Sequence, residues 1–226
     1  MCGKFTSMAS WAEVVAFSQP LIARTGEGSN DRRVVFRPMS DLPVIVFDRE
    51  TQSRKIVWMR WGFPHPKNPK IPQPIHARAE SIAETKAFRG AFLDGQRGIV
   101  IMCTFNECRE VTPSKTEQWT IDPGDSKPRG FAFVWRRFEP EGWPAPLLAC
   151  VMVTVPANRL IRDAIMQDVD DPRMPATLED ADWSTWLGEI PVTPDEAKTV
   201  LRTMEGVNWT IAPEPKPPKP DRPKRS

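Results

Sequence analysis

The 226-residue chain has no tyrosine, only two histidines and only four cysteines. Two histidines and the pair Cys103-x4-Cys108 cannot supply a structural zinc site, which takes four ligands at short paired spacings. No metal or other cofactor is expected. Four cysteines (Cys2, Cys103, Cys108, Cys150) in a chain this long do not form a disulfide framework, so reduced thiols in the cytoplasm are expected. No apolar run reaches the length of a membrane span, and no basic region followed by an apolar one opens the chain as a secretion signal would. Glycine-rich phosphate loops, nucleophile elbows and His-Glu-x-x-His elements are also missing. Net charge is only +2, so any anionic partner must be held by a local cluster rather than by the global field.

Hydrophobic residues make up 40% of the chain, including nine Trp and eleven Phe. That is enough to bury a core without disulfides or metal. Residues 1–210 read as one domain. Residues 211–226 read as a disordered tail rich in Pro, Lys and Arg: from Pro213 to Ser226 five cations oppose two anions, and six prolines keep the chain extended. Runs at Pro43–Phe47, Lys55–Trp61, Gly98–Phe105, Glu117–Asp122, Gly130–Phe138 and Leu147–Val155 read as strands. Gly62 to Lys70 is a proline-rich loop. Helical patterns cover Ser10–Ser18, Ala79–Leu93, Asn158–Met166 and Asp180–Leu187. Trp183 and Trp186 in the last of these sit at core spacing. Capping boxes start helices at Ser10 and at Thr193, the second running to about Met204. Asp170 to Pro175 reads as a rigid turn, and Asn106-Glu107-Cys108 as the exit of the Gly98–Phe105 strand. The fold class is α+β, a curved and mainly antiparallel, barrel-like sheet with flanking helices.

Chemistry concentrates at Met1-Cys2-Gly3-Lys4-Phe5. Methionine aminopeptidases remove Met1 before a small residue, which would leave Cys2 with an α-amine and a thiol on adjacent carbons. Such an amine titrates near about 7.7–8.0 and such a thiol near about 8.5 unless the fold moves them. Both are then partly nucleophilic at neutral pH. The amine condenses with an aldehyde, and the tethered sulfur closes on the imine carbon with a large effective concentration. The product is a five-membered thiazolidine. A cysteine in second place does not by itself establish this activity.

Four blocks taken together resemble the SOS-response-associated peptidase (SRAP) family of abasic-site processing proteins. They are Met1-Cys2-Gly3-Lys4-Phe5, Trp61-Gly62-Phe63-Pro64, His76-Ala77-Arg78-Ala79-Glu80 running on to Phe88-Arg89, and Thr104-Phe105-Asn106-Glu107-Cys108. Arg173-Met174-Pro175 and Trp183-x-x-Trp186-Leu187 match late family elements. The resemblance implies binding of single-stranded DNA at an abasic site and capture of its open-chain aldehyde by Cys2 as a thiazolidine. It also implies a peptidase-type exposure of Cys2 and lyase-like Schiff-base chemistry, in the DNA damage (SOS) response.

By position, Cys2 is the nucleophile and Glu107 the general acid/base, a role best served by a carboxyl raised toward neutrality. Arg78 would hold a backbone phosphate. Trp61 would pack near the unstacked base, and Lys4, Lys67 and Arg89 would add DNA contacts. The family has Asn where this chain has His76, and His where it has Asp171. One account is a swap, with His76 supplying the imidazole and Asp171 orienting it; the rival is a site that has lost its His. The expected partner is single-stranded DNA with abasic sites, bound by a monomer without membrane contact. The alternatives are a DNA-binding module with lost covalent chemistry and a thiol peptidase, the latter disfavoured by the scarcity of His as a base.

Overall fold

The computed structural model describes residues 4–7, 21–22, 34–65, 68, 74–112, 115–123, 128–139, 141–143, 145–205 and 208–214. The strands in the first half are β1 (Lys4–Ser7), β2 (Leu21–Ile22), β3 (Val34–Phe36), β4 (Asp41–Asp48), β5 (Ser53–Trp61), β6 (His76–Arg78) and β7 (Arg97–Met102). The second half supplies β8 (Thr104–Thr112), β9 (Lys115–Asp122), β10 (Arg129–Phe138), β11 (Leu147–Pro156), β12 (Arg173–Pro175), β13 (Thr177–Leu178) and β14 (Thr210–Pro213). Among the described residues four short helices accompany them: α1 (Arg89–Leu93), α2 (Arg159–Ala164), α3 (Trp183–Leu187, entered through a 3-10 turn) and α4 (Pro194–Thr199).

Five strands close on themselves. β4 pairs antiparallel with β5 and β7, β10 pairs antiparallel with β7 and β11, and β11 completes the ring by a parallel pairing with β5. Closure removes the free edges that an open sheet would expose. Its price in composition is visible in β7, every residue of which is buried, so the strand from Gly98 on reads as a continuous apolar run rather than an alternation. A second sheet, in the order β14-β9-β8-β1-β3, carries the candidate site.

At Gly98 the neighbouring strand β4 approaches closely. A Cβ there would stand 2.5 Å from Val44 Cγ1 and 3.2 Å from the Ile45 carbonyl oxygen, and the Gly98 carbonyl already accepts the Trp186 indole N–H at 2.9 Å. Gly98→Ala is therefore expected to push β4 away from β7 and cost about 1–3 kcal/mol. A urea unfolding midpoint equal to the parent's would refute that reading.

Several expectations need correction. The Ala79–Leu93 helix is real only as α1. Ile82, Phe88 and Phe92 are buried as the spacing requires, but residues 79–88 run through turns: the Ala79 N–H is drawn to the Thr154 carbonyl at 2.9 Å, and the Glu84 and Phe88 N–H groups close tighter bonds three residues back, to Ser81 and Thr85. α4 begins at its capping box but stops at Thr199, because the following chain is drawn into tertiary bonds: Thr203 Oγ1 donates to the Pro156 carbonyl at 2.8 Å, and Asn158 Nδ2 to the Met204 carbonyl at 3.1 Å. Arg173–Pro175 is not a turn but a fully buried strand paired with β11. The run from Gly98 to Phe105 bends at Cys103, so Asn106-Glu107-Cys108 lies within β8 rather than at a strand exit. Residues 211–213 of the segment read as tail are strand, paired with β9. The Ser10–Ser18 helix falls outside the described residues.

Candidate functional site

The site strand is β8. Lys4 of β1 stands opposite Asn106 on one side, and Trp119 of β9 stands opposite Glu107 on the other. Glu107 is 1% exposed. Strand alternation puts Glu107 on the same face as Phe105, whose ring meets Phe131 and Trp209 edge-to-face at 5.6 and 5.9 Å. Asn106, on the other face, is also buried; its amide donates to Thr120 Oγ1 at 2.9 Å and locks the β8–β9 register beside the carboxylate. Next along, the Cys108 sulfur accepts the Gln118 amide at 2.7 Å. Burial pushes the Cys108 thiol up, and the Glu107 charge adds to that, so Cys108 stays in its unreactive protonated form at neutral pH.

Trp61 and His76 come together. The Trp61 indole N–H donates to the Ile75 carbonyl at 3.0 Å, and its ring meets the His76 ring edge-on at 6.2 Å. Trp61 is 0% exposed, which corrects its reading as a base-packing residue: it anchors the chain on either side of the proline-rich loop and buttresses His76.

A charged cluster lies where β6, β11 and β12 meet. The Arg78 guanidinium pairs with Asp171 at 2.7 Å and remains largely exposed. Asp171 also lies 3.6 Å from Arg173. Arg173 is buried and grips Glu80 with both arms of its fork, at 2.9 and 2.7 Å, while donating to the Thr154 carbonyl at 2.9 Å. Partial burial alone would push the Glu80 carboxyl up, but the Arg173 fork, a backbone hydrogen bond and the charges of Arg173 and Arg78 together outweigh it, and the net shift is down. The ion pairs of Asp171 thus go to two arginines. The ladder explains this: His76 stands opposite Met152, Arg78 opposite Thr154 and Arg173 opposite Pro156, so Asp171 sits beyond the Arg78 end of β6. Asp171 orients Arg78, a pairing the sequence reading missed. Arg89 opens α1 and is exposed. Cys2 and Lys67 fall outside the described residues.

Among the described residues no group of three His, Cys, Asp or Glu side chains is placed to hold a metal ion, and no helix is long and apolar enough to cross a membrane.

The fold is shared with solved structures. A protein from Bordetella bronchiseptica superposes with a TM-score of 0.74 at 18% identity, over 95% of this chain and 100% of that one. A protein from Bacteroides thetaiotaomicron gives 0.73 at 18% identity, over 94% and 91%. A phage-related protein from B. bronchiseptica gives 0.69 at 20% identity, over 95% of each chain. At these identities the likeness speaks to fold alone. No curated protein matches the sequence. The family model described as SOS response associated peptidase (SRAP) matches residues 1–214, nearly the whole chain, and the protein belongs to that family.

Proposed function

We infer that the protein binds single-stranded DNA at abasic sites and traps the open-chain sugar covalently through Cys2. The observation that carries this reading is the β1–β8 register. Lys4 stands opposite Asn106, next to the buried Glu107. Consecutive Cα atoms are about 3.8 Å apart, so two links tie the Cα of Cys2 to within about 7.6 Å of that of Lys4. Covalent geometry thus tethers the aminothiol to the neighbourhood of a sequestered carboxyl.

The chemistry follows from the groups. With Met1 removed, the Cys2 amine adds to the aldehyde carbon and gives a carbinolamine. Glu107 delivers a proton to the departing hydroxyl, water leaves, and an imine remains. The Cys2 sulfur then adds to the imine carbon while its proton passes to nitrogen, closing the thiazolidine. One water is lost overall and nothing is oxidised. The exposed Arg78, steadied by Asp171, presents a planar donor fork to a phosphate beside the lesion. His76, backed by Trp61, is the imidazole available to a second proton transfer. The capture shields the lesion from strand cleavage in a damage response.

The test is an intact-mass measurement on untagged protein mixed with single-stranded DNA carrying one abasic site. The expected species has the mass of the Met1-free protein plus the DNA, less one water. DNA binding with no mass-shifted species would leave the protein a non-covalent DNA-binding module.

A further inference from the structure

At the end of β7 remote from the Cys103 bend, two arginines converge without a carboxylate. Arg97 opens β7 and is 5% exposed; its guanidinium lies over the Phe92 and Trp186 rings, 5.9 and 5.8 Å from their centroids. Arg49 comes from the turn between β4 and β5. The two Nη2 atoms meet at a pair of glycines. A Cβ at Gly95 would stand 3.0 Å from Arg49 Nη2 and 4.0 Å from Arg97 Nη2; at Gly188 the order reverses, 3.0 Å from Arg97 and 4.0 Å from Arg49. Both glycines have left-handed backbones, φ 73° and 72°, so at residues 95 and 188 shape and conformation together exclude a side chain beside the two guanidinium groups.

Neither guanidinium forms an ion pair among the described residues, and Arg97 Nε is buried without a hydrogen-bond partner. Glu189, next to Gly188, is committed to Arg54 and Ser184. Neither arginine donates to a carbonyl at the end of α1 or α3 among the described residues; the Gly90, Ala91 and Phe92 carbonyls accept from Asp94, Gln96 and Gly95, and the Ser184 and Thr185 carbonyls from Glu189 and Gly188. Burial, then the charge of Arg49, pulls Arg97 down to about 10, so it still carries its charge at neutral pH. Two like charges, one of them desolvated, lack the anion that such an arrangement requires.

The geometry points to a phosphate-class oxyanion site between Arg49 and Arg97, cradled by Gly95 and Gly188. A tetrahedral oxyanion offers each fork its own oxygens, the bidentate contact for which arginine is suited. The length of β7 puts this site roughly 16 Å from Met102, so it does not belong to the Glu107 strand and does not rest on the abasic-site reading.

The test uses the full chain and inorganic phosphate, titrated at constant ionic strength against chloride. The expected result is a saturable shift of the Arg97 Nε–H resonance and a rise in melting temperature. Arg49→Ala, a surface change that leaves the core intact, should weaken the dissociation constant by about 10-fold or more. A second arm titrates lesion-free single-stranded oligonucleotide. An affinity equal in parent and Arg49→Ala assigns the site to free phosphate, and a similar 10-fold loss assigns it to the phosphodiester of a bound strand. No saturable shift up to about 20 mM phosphate together with no effect of Arg49→Ala on the oligonucleotide overturns the proposal. Neither arm needs an abasic site, so the outcome is independent of Cys2 chemistry.

Discussion

Cys2→Ala is expected to leave DNA binding unchanged and to lower the yield of denaturation-resistant adduct by about 100-fold or more. Alanine keeps the terminal amine, so the first condensation still occurs. What disappears is the ring closure, whose advantage comes from a thiol held one bond away, worth an effective molarity on the order of 10⁵ M or higher. The remaining imine hydrolyses when the protein is denatured. Borohydride added before denaturation should reduce that imine to an amine and restore the adduct in the alanine variant. This separates loss of sulfur from loss of folding or of DNA affinity. An alanine variant that cross-links as well as the parent without borohydride would remove the thiazolidine from consideration. Recovery by neither route, with binding intact, would remove the N-terminal amine as well.

Glu107→Gln should slow adduct formation by about 100-fold or more, the ordinary scale of a general acid/base, while leaving DNA affinity close to that of the parent. The substitution keeps size and shape at a position that is 1% exposed, so a folding defect is not the expected cause. The distinguishing readout is the pH profile of the single-turnover rate. A positioned proton donor makes that rate depend on its own ionisation, and glutamine abolishes the dependence. A variant that is slow but keeps the parent's profile would make Glu107 a positioning group for β1 and β9 rather than a proton carrier. A variant as fast as the parent would exclude it from the chemistry.

The strands of this fold were legible because their signals are local. Lys55–Trp61 alternates and Gly98–Met102 is uniformly apolar, and both became strands of the barrel. Trp183 and Trp186 sit in the core as their spacing indicated, and the Thr193 capping box starts its helix. What escaped depends on partners distant in sequence. The parallel β5–β11 pairing that closes the barrel joins Trp61 to Cys150, and no window of neighbouring residues contains it. Arg173 finds Glu80 across the fold, and the commitment of Asp171 to Arg78 follows from a ladder that only tertiary structure sets out. The start of α1 and the end of α4 escape for the same reason, since the bonds of Ala79 to the Thr154 carbonyl and of Thr203 to the Pro156 carbonyl hold the flanking chain. The order of the family-like blocks was readable at the site; the depth of Trp61 was not.

The sheet that holds Glu107 is assembled from both ends of the chain. β8 lies between β1, from residues 4–7, and β9, which is edged in turn by β14, from residues 210–213. The barrel draws its strands from residues 41–156 and shares none of them with that sheet. Fraying at a chain end can therefore peel β1 away from β8 while the barrel stays shut, a local opening of the kind that costs far less than global unfolding. Breathing of this terminal ribbon opens the surroundings of Glu107 and leaves the scaffold undisturbed.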